Sequence, residues 1–150
     1  MKKPQFLTGS EAAMMISDNS TVATIGMTLV SASETILKAI ENRFLTEGHP
    51  NGLTLVHSCG QSDRDRGIQH FAHEGMLRRI IGGHWGLQPK MMELISQNKI
   101  LAYCIPQGQF AQLYRSMAGG EPGKITKVGL GTFIDPRIDG GKMNEVTRSA

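Results

Sequence analysis

The sequence predicts an α/β fold, a doubly wound and mostly parallel sheet, on three observations. Short apolar or β-branched runs alternate four or five times with longer segments of helical period, and such connections join parallel strands through helical crossovers. The run Ile100-Leu101-Ala102-Tyr103-Cys104-Ile105 is almost wholly apolar, as suits a strand covered on both faces. Glycine-bearing turns follow the strand-like runs, on the edge where a parallel sheet carries its functional loops.

Each element has a local reason. Thr8-x-x-Glu11 is the spacing with which a hydroxyl and a carboxylate satisfy the free amides of a helix start, so a short helix is predicted over 8–17. Residues 21–25, Thr-Val-Ala-Thr-Ile, read as a buried strand ending at Gly26. A second box, Ser31-x-x-Glu34, opens a helix whose apolar face is Ile36, Leu37, Ile40 and Phe44, and the 48–52 segment with Pro50 stops it. Residues 53–57 form the second strand, and the Asp/Arg-rich stretch 61–67 has no apolar period and reads as an exposed loop. The third strand spans 79–83. Pro89 suits a first helical turn, with Met91, Met92, Leu94 and Ile95 on the buried side. The fourth strand is 99–105, followed by a helix carrying Phe110, Leu113, Tyr114 and Met117, and a last strand is expected over 125–128. The chain thus divides into a domain over 1–134 and an irregular tail or linker over 135–150 with Pro136, Gly140 and Gly141. No internal repeat is present.

Bulk properties narrow the function classes. A length of 150 residues fits one domain with its own core. The two cysteines, Cys59 and Cys104, stand in no CxxC or Cys/His array, which points away from zinc and towards a reducing, cytoplasmic setting. No secretory signal pattern and no apolar run of membrane-spanning length occur. The charge of +3 is spread out with little aromatic interleaving, which disfavours nucleic acid and suits a phosphate-bearing ligand.

The loops after strands one, three and four, beginning at Gly26, Gly82 and Pro106, fall on one edge and argue for an anionic ligand site, since glycine admits close backbone approach and helix starts offer free amides. Taken singly, each is also ordinary turn chemistry. GxGxxG and GxxxxGK[ST] are absent, so nicotinamide cofactors and nucleoside triphosphates fit poorly. His70 and His73 beside Glu74 form a minimal metal-like spacing and read as helix-surface residues. His84 and Trp85 read either as a substrate wall or as a structural corner. Ser58 and Cys59 lack the elbow motif and an obvious base, so covalent catalysis through them is not expected.

Several strings together carry a resemblance: Asp63-Arg64-x-Arg66-Gly67-Ile68, Gly82-Gly83-His84-Trp85-Gly86, Pro106-Gln107-Gly108, Gly129-Leu130-Gly131-Thr132-Phe133-Ile134-Asp135-Pro136-Arg137 and Gly140-Gly141-Lys142-Met143-Asn144. In this order they resemble the amino-terminal domain of the family I CoA-transferases, acetate/propionate type, over nearly the whole chain. The resemblance implies a fold shared with sugar-phosphate isomerases and a ping-pong transfer of CoA between short-chain carboxylic acids through a glutamyl-CoA thioester. It also implies short-chain fatty-acid and ketone-body metabolism, no metal, no cofactor beyond coenzyme A as substrate, and a homo-oligomer when complete. By the same resemblance, Gln107 contributes its backbone amide to an oxyanion hole, and Gly26, Met27, Thr28, Gly83, His84, Trp85 and Gly108 line the substrate and CoA pocket.

The family's Glu-x-Gly nucleophile belongs to the carboxyl-terminal half. The sole Glu-x-Gly here, Glu121-Pro122-Gly123, sits in a loop outside that alignment, so the nucleophilic glutamate is expected to be absent from this chain. Its partners would then be acyl-CoA, a carboxylic acid and a carboxyl-terminal half or second subunit, with neither nucleic acid nor membrane. The isolated chain is expected to be inactive. The alternatives are a non-catalytic small subunit and a CoA- or phosphate-binding module of the same fold.

Overall fold

The computed structural model describes residues 4–150. Its elements are α1 (Gly9–Met14), β1 (Thr21–Thr24), α2 (Glu34–Glu47), β2 (Leu53–His57), a 3-10 helix (Gly67–Phe71), β3 (Leu77–Gly82), α3 (Pro89–Ser96), β4 (Leu101–Cys104), α4 (Gln107–Ala118) and α5 (Glu145–Arg148). The four strands form one parallel sheet in the order β1-β2-β3-β4. The α/β class and the parallel pairing are as expected. The order is sequential, so the reversal that starts the second winding of a doubly wound sheet lies in none of these four strands.

Register shows where the core sits. Val22, Leu55, Ile80 and Ala102 are paired in a row across the sheet and point to one side. There they meet Leu37 and Ile40 of α2, Ile68 and Phe71 of the 3-10 helix, and Met91, Leu94 and Ile95 of α3. Leu55 and Ile80 are fully buried, each worth roughly 1.5–3 kcal/mol of hydrophobic transfer. The next row, Ala23, Val56, Ile81 and Tyr103, faces the other way and is only half covered. The Arg79 guanidinium lies on that face, 6.0 Å from the centre of the Tyr103 ring.

Local chemistry explains most boundaries. Thr8 and Glu11 form the predicted box: the Glu11 amide donates to Thr8 Oγ1, and the Thr8 amide donates to the Glu11 carboxylate at 2.7 Å. Pro89 stands in the first turn of α3 as expected. The second box does not form. Ser31 has φ 63°, and α2 starts two residues later from Ser33 without a side-chain cap, because Glu34 is engaged by the 61–71 segment instead.

Further expectations change. β1, expected as a buried strand, is exposed at Thr21 and Ala23, and Ile25 just beyond it is 65% exposed. Only 63–66 of the Asp/Arg loop are exposed, while Gln61 and Ser62 are buried and lead into the unforeseen 3-10 helix. Residues 125–128 form no strand; Ile125 is 99% exposed, and Gly123 and Gly129 bracket it at φ 159° and 95°. β4 is fully buried only at Ala102, since the second sheet face is half open. The 135–150 segment packs against β4 and the end of α3. Asn144 caps α5 and donates to the carbonyls of Ile95 and Ile100, and Thr147 Oγ1 accepts from the Ala102 amide at 2.7 Å. With the Cys104 amide donating to Gly141, this segment occupies the free side of β4. No helix among the described residues is long and apolar enough to cross a membrane.

Candidate functional site

All four strands deliver their loops to one edge, and these loops touch in sequence. After β1, the carbonyl of Gly26 accepts from Cys59 Sγ at 3.0 Å, and the Thr28 amide donates to the carbonyl of Gly60 at 3.1 Å. Gly60 abuts the His84 ring, a Cβ there lying 2.9 Å from Nδ1. Gly83 lies against Gln107, with a notional Cβ 3.2 Å from its Cα. The Gly26, Gly83 and Gln107 loops are therefore linked through the Cys59-Gly60 turn that closes β2. Thr28 and Ser31 carry positive φ, a strained backbone that packing on both sides must hold, while Gly26 takes a φ of 149° that glycine accepts.

Gln107 is the first residue of α4 and is exposed, and Pro106 before it gives no side-chain cap. A helix start of this kind presents free amides and the positive end of the helix dipole to the crevice. A Cβ on Gly108 would meet nothing within 4 Å, so the packing of this chain does not require glycine there. Met27 and Thr28 are exposed on the same edge. His84 is exposed as well.

Trp85 is placed differently. It is 5% exposed, belongs to the core, and meets His57 edge-on with ring centres 6.1 Å apart, the placement of a structural corner. Its Nε1 and the Nε2 of His57 are buried without partners. His57 was missed as a site neighbour because a histidine ending an apolar strand reads as a polar boundary. It is fully buried, bonded through Nδ1 to the carbonyl of Cys59 at 2.8 Å, and a Cβ on Gly82 would overlap its ring. Desolvation by burial pushes its pKa down to about 4 despite the Cys59 carbonyl, and nearby His84 adds to the lowering.

Gln61 is the other residue that sequence pattern did not single out. Its Oε1 accepts a short hydrogen bond from Thr24 at the end of β1, and its Nε2 lies 3.1 Å from a notional Cβ of Gly26. The signal was weak, a polar residue next to a charged loop, and only the sheet order reveals that this loop borders β1.

Beside the α4 start is a cavity of about 420 Å³ lined mainly by apolar residues, Ile105, Phe110, Leu113, Val128 and Ile134 among them, with Cys104 and Asp135 at its wall. Burial pushes the Cys104 thiol up, so it remains protonated and a poor nucleophile. Asp135 is hydrogen-bonded to Arg137, to the Gly131 amide at 2.8 Å and to the Arg137 amide at 3.0 Å, which together hold its carboxyl well below the usual carboxylate range. Glu121 is exposed beyond the far end of α4, and twelve helical residues place that end about 17 Å from Gln107. Cys59 is buried. Among the described residues no group of three or more His, Cys, Asp or Glu could hold a metal ion; His70 and His73 pair with glutamates of α2 instead.

A family model described as Coenzyme A transferase matches residues 8–148. The chain is 42% identical over 144 residues to Caffeate CoA-transferase of Acetobacterium woodii, covering 95% of this chain and 28% of that protein. It is 40% identical over 144 residues to Acetate CoA-transferase YdiF of Escherichia coli K12, covering 95% of this chain and 27% of that protein. The crystal structure of the acyl-CoA transferase YdiF from E. coli O157:H7, a thioester complex with CoA, superposes with a TM-score of 0.87 at 39% identity over 94% of this chain and 29% of that one. The chain therefore spans less than a third of the length of these relatives. Ordered glycine loops, a parallel sheet of matching shape and a family match across 8–148 lead to one conclusion: the chain belongs to the Coenzyme A transferase family.

Proposed function

We propose that this chain is the amino-terminal portion of an acyl-CoA:acetate CoA-transferase that moves CoA between short-chain carboxylic acids. The glutamate that attacks the acyl-CoA lies outside residues 1–150. Its carboxylate oxygen bonds to the acyl carbon and expels CoA thiolate, which then attacks the glutamyl carbonyl of the resulting anhydride and releases the free acid. A second carboxylate takes the CoA by the reverse sequence. Each addition passes through a tetrahedral oxyanion, and this chain contributes donors for it: the backbone amide of Gln107 first, at the uncapped start of α4.

The observation carrying the reading is the convergence of Gly26, Gly60, Gly83 and Gln107 at one sheet edge in a chain of this family. Gly26, Met27, Thr28, Gly83, His84 and Gly108 form the receiving surface for acyl-CoA, with Trp85 supporting it from the core. A cytoplasmic location and a homo-oligomeric complete enzyme go with the reading, and its chemistry needs no metal or cofactor besides CoA.

The test is CoA transfer from acetyl-CoA to propionate by the chain alone and after addition of the separately produced remainder of the protein. No turnover alone and turnover on addition are expected; activity of the lone chain would overturn the placement of the nucleophile. In the assembled enzyme, Gln107→Pro removes the backbone amide proton, along with the side chain that Gln107→Ala also removes, at a position where a helix accepts proline, and should cost about 10²–10³ in kcat. Gln107→Ala should retain most activity. Equal activity of both variants would remove the amide from the mechanism.

A further inference from the structure

A row of ion-paired groups joins α2 to the 3-10 helix, and the proposed chemistry does not use it. His70, 8% exposed, lies between two glutamates of α2: its Nε2 is 2.7 Å from Glu34 Oε1 and its Nδ1 is 2.5 Å from Glu41 Oε2. The second oxygen of each glutamate is also engaged. Glu34 Oε2 accepts from the Gly67 amide at 2.9 Å, and Glu41 Oε1 pairs with His73 Nε2 at 2.7 Å. A neutral imidazole has one N–H, so a carboxylate at each ring nitrogen is satisfied only when the ring carries both protons.

The same segment grips the 26–33 loop at both ends. At the far end, Glu34 is the first residue of α2, immediately after the loop. At the near end, Gln61 holds Thr24, and Gln61 is in turn fixed by the Ile68 amide, which donates to its carbonyl at 2.9 Å. One end of this double staple is uncharged; the other depends on a proton.

We propose that the His70 imidazolium, held between Glu34 and Glu41, is a proton-dependent clasp that keeps the strained 26–33 loop in its binding shape. His70 is thus a positioning residue, and the inference rests on the reading that this loop lines the acyl-CoA site. Both carboxylates are ionised at neutral pH. Burial raises each of them, but for Glu34 the hydrogen bonds from His70 and the Gly67 amide outweigh it, and for Glu41 those from His73 and His70 do. From its own segment the clasp also meets Arg66, whose charge acts on Glu34. From α3, packed on the other side of the 3-10 helix, the Met91 amide donates to Gln69, while Lys90 and Glu93 form no ion pair with the row. The clasp is complete while the ring is protonated and both carboxylates are ionised. It weakens on the alkaline side as the ring loses its proton and on the acid side as the carboxylates gain theirs.

The test reads the loop itself, so its failure is separable from failure of the transferase reading. Proton–nitrogen correlations of the His70 ring and amide exchange of residues 27–33, corrected for intrinsic rates, are followed on the 150-residue chain between about pH 6 and pH 9. In the clasped state each ring nitrogen should carry a proton, as the carboxylates at both of them require. Loss of that proton should speed loop exchange about tenfold, the weight of one charge-assisted hydrogen bond, and leave β2 unchanged. His70→Gln should show fast loop exchange throughout, and His49→Gln, in a separate pair with Asp18, should behave as wild type. A His70 ring that carries only one proton throughout this range, or loop exchange that does not follow the protons seen on the ring, would overturn the proposal. Should His70→Gln fail to fold, the wild-type titration still decides.

Discussion

Gly83 and Gln107 face each other so closely that a β-carbon on the glycine would sit 3.2 Å from the Cα of the glutamine and would overlap the carbonyl of Ser58. The start of α4, with its free amides, is therefore set by the absence of one methyl group on the loop after β3. Gly83→Ala should shift the first turn of α4 and destabilise the chain by about 1–3 kcal/mol, the usual cost of overpacking. A lowered urea midpoint with amide shifts concentrated at 105–110 is the expected signature. An unchanged spectrum there would mean the two loops are not in register.

His57 gives a pH dependence with a definite sign. Its folded pKa is pushed down to about 4, below the 6.5 of an unperturbed histidine, so the unfolded chain binds the proton first as pH falls. Its contribution is complete above about pH 6.5 and is lost between there and about pH 4, amounting to on the order of 3 kcal/mol. Urea midpoints measured across that interval should fall. In His57→Asn, which keeps a donor for the Cys59 carbonyl, the slope should be shallower.

Asn144 supports the last segment from three sides: it caps α5 and holds the carbonyls of Ile95 and Ile100 at 2.8 and 2.9 Å. Asn144→Ala leaves these buried carbonyls unpaired and should cost about 2–3 kcal/mol. Proteolysis should then cut within 139–150 well before it reaches the sheet. Cutting at the wild-type rate would show that the segment is held by something else.

Asp135 organises the turn from Gly131 to Arg137 by accepting from both their amides and from the Arg137 guanidinium. Asp135→Asn keeps the shape but removes the charge, and should open this turn to limited proteolysis without changing the circular dichroism of the sheet. Resistance equal to wild type would assign the turn's order to packing alone.

How much of this was legible in the sequence follows from the range of the interactions. The Thr8–Glu11 box, the Pro89 helix start and most of the apolar faces of α2 and α3 depend on neighbours within one or two turns, and periodicity reveals them, although Ile36 and Met92, expected on those faces, are 37% and 44% exposed. Ser31-x-x-Glu34 has the same spacing and does not cap, because Glu34 is claimed by Gly67 and His70, more than thirty residues away. Ile125 and Val128 carry strand-like side chains, but the place beside β4 is taken by Gly141, Met143 and Thr147. The glycine loops of the site were visible as strings. Gln61 and His57, which support them, were not, since their roles depend on which strands are neighbours.

The two sides of the sheet are unequal. β4 is closed off by the 135–150 segment, whereas no strand among the described residues lies beside β1, and Ile25, Met27 and Val30 at its end are each more than 60% exposed. The sheet accordingly has one open side among the described residues. A parallel strand laid against β1 would reverse the strand order, and the crevice that opens at such a reversal would fall beside Gly26, at the candidate site itself.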